Sequence, residues 1–183
     1  MNKNNITIGI TAYNEGNLLK DAWESIESQT RTDWIATMIL DGGSDQKTEA
    51  VFDKIYHPSL PKIKLSNNNG PYYCRTLAIE KSTTDWYCHL DADDRFPPAT
   101  VEIINNIIDE DDSLMYIIGC CLYFNKNRYE VKSHNGITDK RLAYTLPFNG
   151  QSPIKKELFN KLNGYCKDLY KGGADWDFWL KVI

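Results

Sequence analysis

Short apolar runs alternate along the chain with amphipathic stretches, and the two periods predict a regular succession of elements. Ile6 to Tyr13 is rich in β-branched residues and reads as a strand, ended by the turn formers Asn14-Glu-Gly-Asn. Leu18, Leu19, Ala22, Trp23 and Ile26 then recur at three- and four-residue intervals, which gives a helix with one apolar stripe. A second strand, Ile35 to Leu40, closes at Asp41-Gly-Gly-Ser-Asp, and a helix is expected over Glu49 to Tyr56. Ile63 to Ser66 predicts a short third strand before the polar loop Asn67-Asn-Asn-Gly-Pro. Tyr72 to Lys81 reads as a helix with Tyr73, Leu77 and Ile79 as its apolar members, and Trp86 to Leu90 as a buried strand. Pro97 and Pro98 suit the first turn of a helix carrying Val101, Ile104, Ile107 and Ile108. The apolar run Leu114 to Phe124 pairs with Tyr129 to Lys132 as a hairpin. Ser133 to Gly150 has little periodicity and is expected to be a long loop that closes over a ligand. A helix over Ile154 to Leu162 stops at Gly164, and Trp176, Trp179, Leu180 and Ile183 share one face of a last helix.

Strands alternating with helices indicate an α/β fold with a mostly parallel sheet flanked by helices. The 183 residues, 42% of them hydrophobic, suffice for one core, so a single domain is expected over 1–183. The last helix is still running at the final residue, from which we expect either a chain trimmed at its C-terminus or an unusually short protein. A net charge of -4 with scattered Lys and Arg argues against a nucleic-acid surface. Apolar stretches fall short of the roughly 18 residues that cross a bilayer, and the polar start lacks a leader core, so a cytoplasmic location is expected. The five cysteines form no CxxC pair and fit free thiols, with Cys88, Cys120 and Cys121 expected in the core.

The densest chemistry follows Trp86 to Leu90, where the apolar run stops at Asp91, Asp93 and Asp94. In an open parallel sheet the carboxyl ends of the strands border the ligand crevice. Three adjacent carboxylates repel unless a cation joins them, and hard oxygen ligands suit Mg²⁺ or Mn²⁺. A solvated acidic turn explains the same residues equally well on composition alone. A calcium loop does not, because Phe96 replaces the glycine of its sixth position and Arg95 is no ligand at its fifth. His57, His89 and His134 share no spacing, and His89, alternating with Leu90, is expected to be satisfied in the core.

Four motifs, in order, resemble the inverting nucleotide-sugar glycosyltransferases of the GT-A fold, family two: Ile10-Thr-Ala-Tyr-Asn-Glu, Leu40-Asp-Gly-Gly-Ser-Asp, Leu90-Asp-Ala-Asp-Asp and Ala174-Asp-Trp-Asp-Phe-Trp-Leu. The resemblance implies a Rossmann-like nucleotide-sugar domain in which Thr11, Tyr13, Glu15 and Asp41 meet the nucleoside. Gly42 stands where many relatives carry a second acid that recognises uracil. Gly70 to Ala78 matches the family's Gly-x-x-x-Ala-Arg-Asn-x-Gly stretch, with Cys74, Thr76 and Ala78 departing from it and Arg75 retained as a helper at the diphosphate. It further implies Asp93 as the ligand of a divalent cation, Mn²⁺ or Mg²⁺, with Asp91 at the ribose or sugar and Asp94 at the metal shell or donor sugar. Asp175, just before the last helix, is implied as the general base, with Asp177 its competitor, and Trp176 and Trp179 border the acceptor or pack. The implied partners are a nucleotide-sugar donor, a UDP-sugar foremost, and a glycan or lipid-linked acceptor, with peripheral membrane association. Two other readings stay open: a sugar-nucleotide pyrophosphorylase, which would need a Gly-rich basic loop after the first strand, and a non-catalytic sugar-nucleotide-binding module, suggested by Ala174 where relatives carry Glu.

Overall fold

The computed structural model describes residues 6–125, 127–132, 150–169 and 172–182. Its five-stranded sheet has the order β3-β2-β1-β4-β7, built from β1 (Ile6–Ala12), β2 (Trp34–Leu40), β3 (Lys62–Lys64), β4 (Trp86–Asp91) and β7 (Ile154–Lys155). The first four strands run parallel, and β7 pairs antiparallel with β4. A separate two-stranded ribbon joins β5 (Cys121–Asn125) to β6 (Arg128–Lys132). The helices are α1 (Leu18–Glu27), α2 (Gln46–Lys54), α3 (Pro71–Lys81), α4 (Thr100–Glu110), α5 (Lys156–Lys161) and α6 (Ala174–Val182).

The two-residue period of each strand decides which helix covers which side chain. Ile6, Ile8 and Ile10 of β1, Ala36, Met38 and Leu40 of β2, and Trp86, Cys88 and Leu90 of β4 join α1, α2 and α4 in one buried cluster. The intervening positions face the other way, where Ile39 and Tyr87 pack with Cys74, Ala78 and Ile79 of α3, Phe159 of α5 and Phe178 and Trp179 of α6. Polar residues on β1 and β4 are confined to this second face: Thr7, Thr11, His89 and Asp91.

The parallel α/β architecture agrees with expectation, and several local readings are corrected. The buried members of α3 are Cys74, Arg75, Ala78 and Ile79, whereas Tyr73 is exposed, because the stripe facing the sheet runs through positions 74 and 78. Pro97 and Pro98 precede α4 rather than forming its first turn. Ile154 and Lys155 are a sheet edge rather than the start of a helix, and the chain from 114 to 120 is a surface segment touching the sheet edge through a Tyr116 to Ile154 bridge. Cys120 is therefore exposed, not in the core. Phe178 and Trp179 form the buried side of α6, and Leu180 is exposed. The predicted loop Ser133 to Gly150 lies, up to residue 149, outside the described residues, as do His134 and Ile183.

Candidate functional site

The strand order reverses direction between β1 and β4, and a cleft of about 240 Å³ opens at the carboxyl ends of these two strands. Thr11, Ala12, Tyr13 and Glu15 line it from the end of β1, Asp91, Ala92 and Asp93 from the end of β4, Asp41 from the end of β2, and Asn68, Gly70, Pro71, Cys74 and Arg75 from the loop before α3 and from α3 itself. Asp94, Asp175 and Asp177, also singled out in the sequence, lie outside this lining, as do Trp176 and Trp179.

Hydrogen bonds between loops fix the β1 side of the cleft. The Tyr13 N–H donates to Glu15 Oε2 at 2.6 Å, and the Gly16 N–H to Thr48 Oγ1 at 2.8 Å. Asn14 Oδ1 accepts from the Asp45 N–H at 2.7 Å, while Asp45 caps α2 by accepting from the Thr48 N–H. Asp41 is buried and its carboxylate is already engaged: it accepts from the backbone N–H groups of Gly42 at 2.9 Å, Asn69 at 2.9 Å and Gly70 at 2.8 Å. These bonds hold the 67–70 loop against the end of β2. Gly42 is needed for the same contact, since a Cβ there would stand 2.3 Å from the Asn67 backbone nitrogen. The place where relatives carry a second acid is filled here by main chain. Gly70 and Pro71 then open α3, whose N-terminal end borders the cleft and favours negative charge.

On the β4 side, Arg75 is buried and its Nη2 donates to both Asp91 oxygens, at 2.6 and 2.9 Å. His89 Nε2 lies 2.7 Å from Asp91 Oδ1, and its Nδ1 lies 3.2 Å from the Tyr87 hydroxyl. Burial opposes charge on Asp91, but His89 and Arg75 outweigh it and hold the carboxyl below its ordinary range. Burial likewise opposes the Arg75 charge, and Asp91 more than restores it. Arg75 thus reaches the cleft largely neutralised by Asp91. Burial pushes the Asp94 carboxyl up, and Asp93 and Asp91 add to the effect; Gln151 Nε2 donates to Asp94. In the sequence His89 reads only as a satisfied core histidine, not as a partner of Asp91, and nothing there points to Gln151. The two-residue spacing of His89 and Asp91 was the available signal for the first, while Gln151 follows the segment outside the described residues.

No group of three His, Cys, Asp or Glu side chains among the described residues is arranged to hold a metal by itself. Asp91 is spoken for by Arg75 and His89, and Asp94 by Gln151, which leaves the Asp93 carboxylate at the cleft. This donor set fits Mg²⁺ or Mn²⁺ arriving with a diphosphate, since such ions take one or two carboxylates together with phosphate oxygens. It does not fit a cation held by protein ligands alone.

Asp175 sits in the first turn of α6, not before it, and accepts from the Tyr72 hydroxyl at 3.0 Å and from the Trp176 N–H at 2.9 Å. Gly150 lies between it and Arg75, because a Cβ on Gly150 would stand 3.4 Å from Arg75 Nη1 and 3.8 Å from Asp175 Oδ2. Asp177 turns instead to Lys181, at 2.6 Å. Trp179 is buried against Tyr116 and Phe178, a packing role.

Known proteins carry the same framework. A teichoic acid poly(glycerol phosphate) polymerase of Staphylococcus epidermidis is 28% identical over 114 residues, covering 61% of this chain and 16% of that protein. An uncharacterized glycosyltransferase of Haemophilus influenzae is 26% identical over 185 residues, covering 97% of this chain and 62% of that one. Among solved structures, residues 1–349 of S. aureus TarS superpose with a TM-score of 0.78 at 18% identity, over 97% of this chain and 54% of that one. A Pyrobaculum calidifontis mannosyltransferase in complex with GDP-Man and Mn²⁺ gives 0.69 at 18% identity, over 94% and 50%. The chain therefore spans less than two thirds of these relatives. No helix among the described residues is long and apolar enough to cross a membrane. Residues 7–171 match the family described as Glycosyl transferase family 2, and with its GT-A fold and this cleft the chain belongs to that family.

Proposed function

We propose that this domain transfers a glycosyl group with inversion from a nucleoside diphosphate sugar, a UDP-sugar foremost, to a hydroxyl of a glycan or lipid-linked acceptor, in the cytoplasm or at its membrane face. The observation that carries the reading is the convergence of Thr11, Tyr13, Glu15, Asp41, Arg75, Asp91 and Asp93 on one cleft at the β1/β4 switch. TarS has been solved in complex with UDP-GlcNAc and the mannosyltransferase with GDP-Man and Mn²⁺, which supports a nucleotide-sugar donor with a divalent cation.

In this reading the 67–70 loop, held by Asp41, and the Tyr13 to Glu15 turn border the base and ribose. The N-terminal end of α3 and the partly neutralised Arg75 attract the diphosphate without locking it. Asp93 would hold Mn²⁺ or Mg²⁺, which when bound offsets the negative charge gathering on the departing diphosphate. The acceptor oxygen forms its bond to the anomeric carbon as the bond from that carbon to the diphosphate oxygen breaks. The acceptor's proton passes to the Asp175 carboxylate.

A thermal-shift screen of nucleotide sugars with and without Mn²⁺ tests the reading, because a ligand of the folded state raises Tm by mass action. The expected result is a Mn²⁺-dependent rise with a nucleotide sugar, and slow Mn²⁺-dependent release of nucleoside diphosphate. By calorimetry, Asp93→Ala should lose Mn²⁺-dependent UDP binding with its Tm little changed. Equal affinity in that variant removes Asp93 from the metal site.

A further inference from the structure

Every second residue of β4 leaves the sheet on the α3 side, and three of them, Tyr87, His89 and Asp91, form a continuous polar file ending at the cleft. The Tyr87 hydroxyl is 3.2 Å from His89 Nδ1, His89 Nε2 is 2.7 Å from Asp91 Oδ1, and Arg75 closes the file at 2.6 and 2.9 Å from the two Asp91 oxygens. Tyr87 and His89 are each 2% exposed, so solvent does not compete for the contact between them. Gly9 lies opposite His89 in the β1/β4 register and makes room for the file, since a Cβ there would stand 2.1 Å from the Tyr87 hydroxyl oxygen.

The protons in this file have one consistent arrangement. Burial, aided by Arg75, pushes the His89 imidazole down, so it is neutral and carries a single N–H. The Asp91 carboxylate only accepts, which puts that hydrogen on Nε2. Nδ1 is then a lone-pair acceptor, and the Tyr87 hydroxyl, which burial keeps protonated, donates to it. Thr11 Oγ1, at 3.4 Å from Nε2, is too distant to take the N–H from Asp91.

We propose that His89 is a positioning residue for the donor site. As the Nε2–H tautomer set by Asp91, with the Tyr87 hydroxyl donating to its Nδ1, it fixes the Asp91 carboxylate against Arg75, so that the lone pairs left on Asp91 are oriented to accept a ribose hydroxyl of the nucleotide. The proposal rests on the reading of this cleft as a nucleotide-sugar site. Arg75 alone grips Asp91 through one nitrogen, about which the carboxylate can rock; His89, a second donor on Oδ1, restricts that freedom.

Two measurements on the whole chain test it. In the free protein, ¹⁵N NMR of the imidazoles should show His89 protonated at Nε2 and bare at Nδ1, in the parent and in Tyr87→Phe alike, because Asp91 sets the tautomer. Calorimetric titration of UDP with Mn²⁺ present should show about tenfold weaker binding in His89→Leu, the scale of one hydrogen bond to a charged group. His89→Gln, which keeps an N–H donor and a carbonyl acceptor, should stay within about threefold of the parent, and Tyr87→Phe should fall between them. An Nδ1–H tautomer in the parent overturns the proposal. So does a His89→Leu protein with lowered Tm but parental UDP affinity, because that pattern belongs to a packing residue. A parent that binds no nucleoside diphosphate overturns the functional reading itself, and is distinguished by the tautomer still being Nε2–H.

Discussion

Cys74 and Cys88 are thiols whose neighbours suppress their chemistry. Burial, with Asp41 beside it, pushes the Cys74 thiol up to about 12, and complete burial pushes Cys88 up further, its S–H donating to the Gln151 carbonyl at 2.9 Å. Nucleophilic attack needs the thiolate, so neither is a nucleophile at neutral pH. Cys120, in contrast, is exposed. Brief treatment of the folded protein with iodoacetamide at neutral pH should alkylate Cys120 and spare Cys74 and Cys88, as read by peptide mass spectrometry. Alkylation of Cys74 at the rate of Cys120 would refute the burial argument. At this scale the sequence was informative where a residue's role follows from its place on a strand. Asp91, Asp93 and Thr11 reach the cleft because strand ends do. What Asp41 does was not legible, because its partners are backbone N–H groups from 28 and 29 residues away. His89 was legible as buried but not as a partner of Tyr87, since that contact requires Gly9 to lie opposite, and register is not written in either strand alone.

Among the elements, β1, β2, β4 and the stripes of α1 and α4 could be drawn from periodicity because each is long enough to show one. The two residues of β7 show none, and the apolar run from Leu114 misleads because hydrophobicity alone does not distinguish a central strand from a surface segment touching a sheet edge. The 67–70 loop has no period to read, yet main-chain contacts hold it closely. Its Asn69 and Gly70 N–H groups end on Asp41, and its Asn67 carbonyl accepts from the Gly42 N–H at 3.2 Å. Gly42→Ala inserts a methyl at 2.3 Å from main chain that has no side-chain torsion with which to retreat. It should cost about 1–3 kcal/mol of stability, as overpacking does, and measurably speed hydrogen exchange at Asn69 and Gly70. Unchanged exchange there, with normal denaturant stability, would show that the loop is not held through this contact.

For the molecule as a whole, the sheet delivers the two halves of the proposed reaction from opposite ends of the chain. β1, β2 and β4 supply the donor side within the first 93 residues, and α6 brings a carboxylate back to the same face only at Asp175. The joint between the halves is Tyr72, which takes the Gly173 N–H at 3.1 Å and donates to Asp175 at 3.0 Å, while its ring lies 5.5 Å below the Arg75 guanidinium. Burial and the adjoining Asp175 raise the Tyr72 hydroxyl pKa, so it remains a donor and holds the acid in place across the neutral range. Asp177, two residues on, is turned about 200° around the helix and pairs with Lys181 instead. Asp175→Asn should therefore bind UDP and Mn²⁺ as the parent does, yet transfer sugar at least about a hundredfold more slowly, the usual penalty for losing a general base. Asp177→Asn should keep near-parental transfer with at most a small loss of helix stability from the broken surface pair. Single-turnover rates at saturating donor separate the two effects, and a slow Asp177→Asn beside a normal Asp175→Asn would move the base to the other acid.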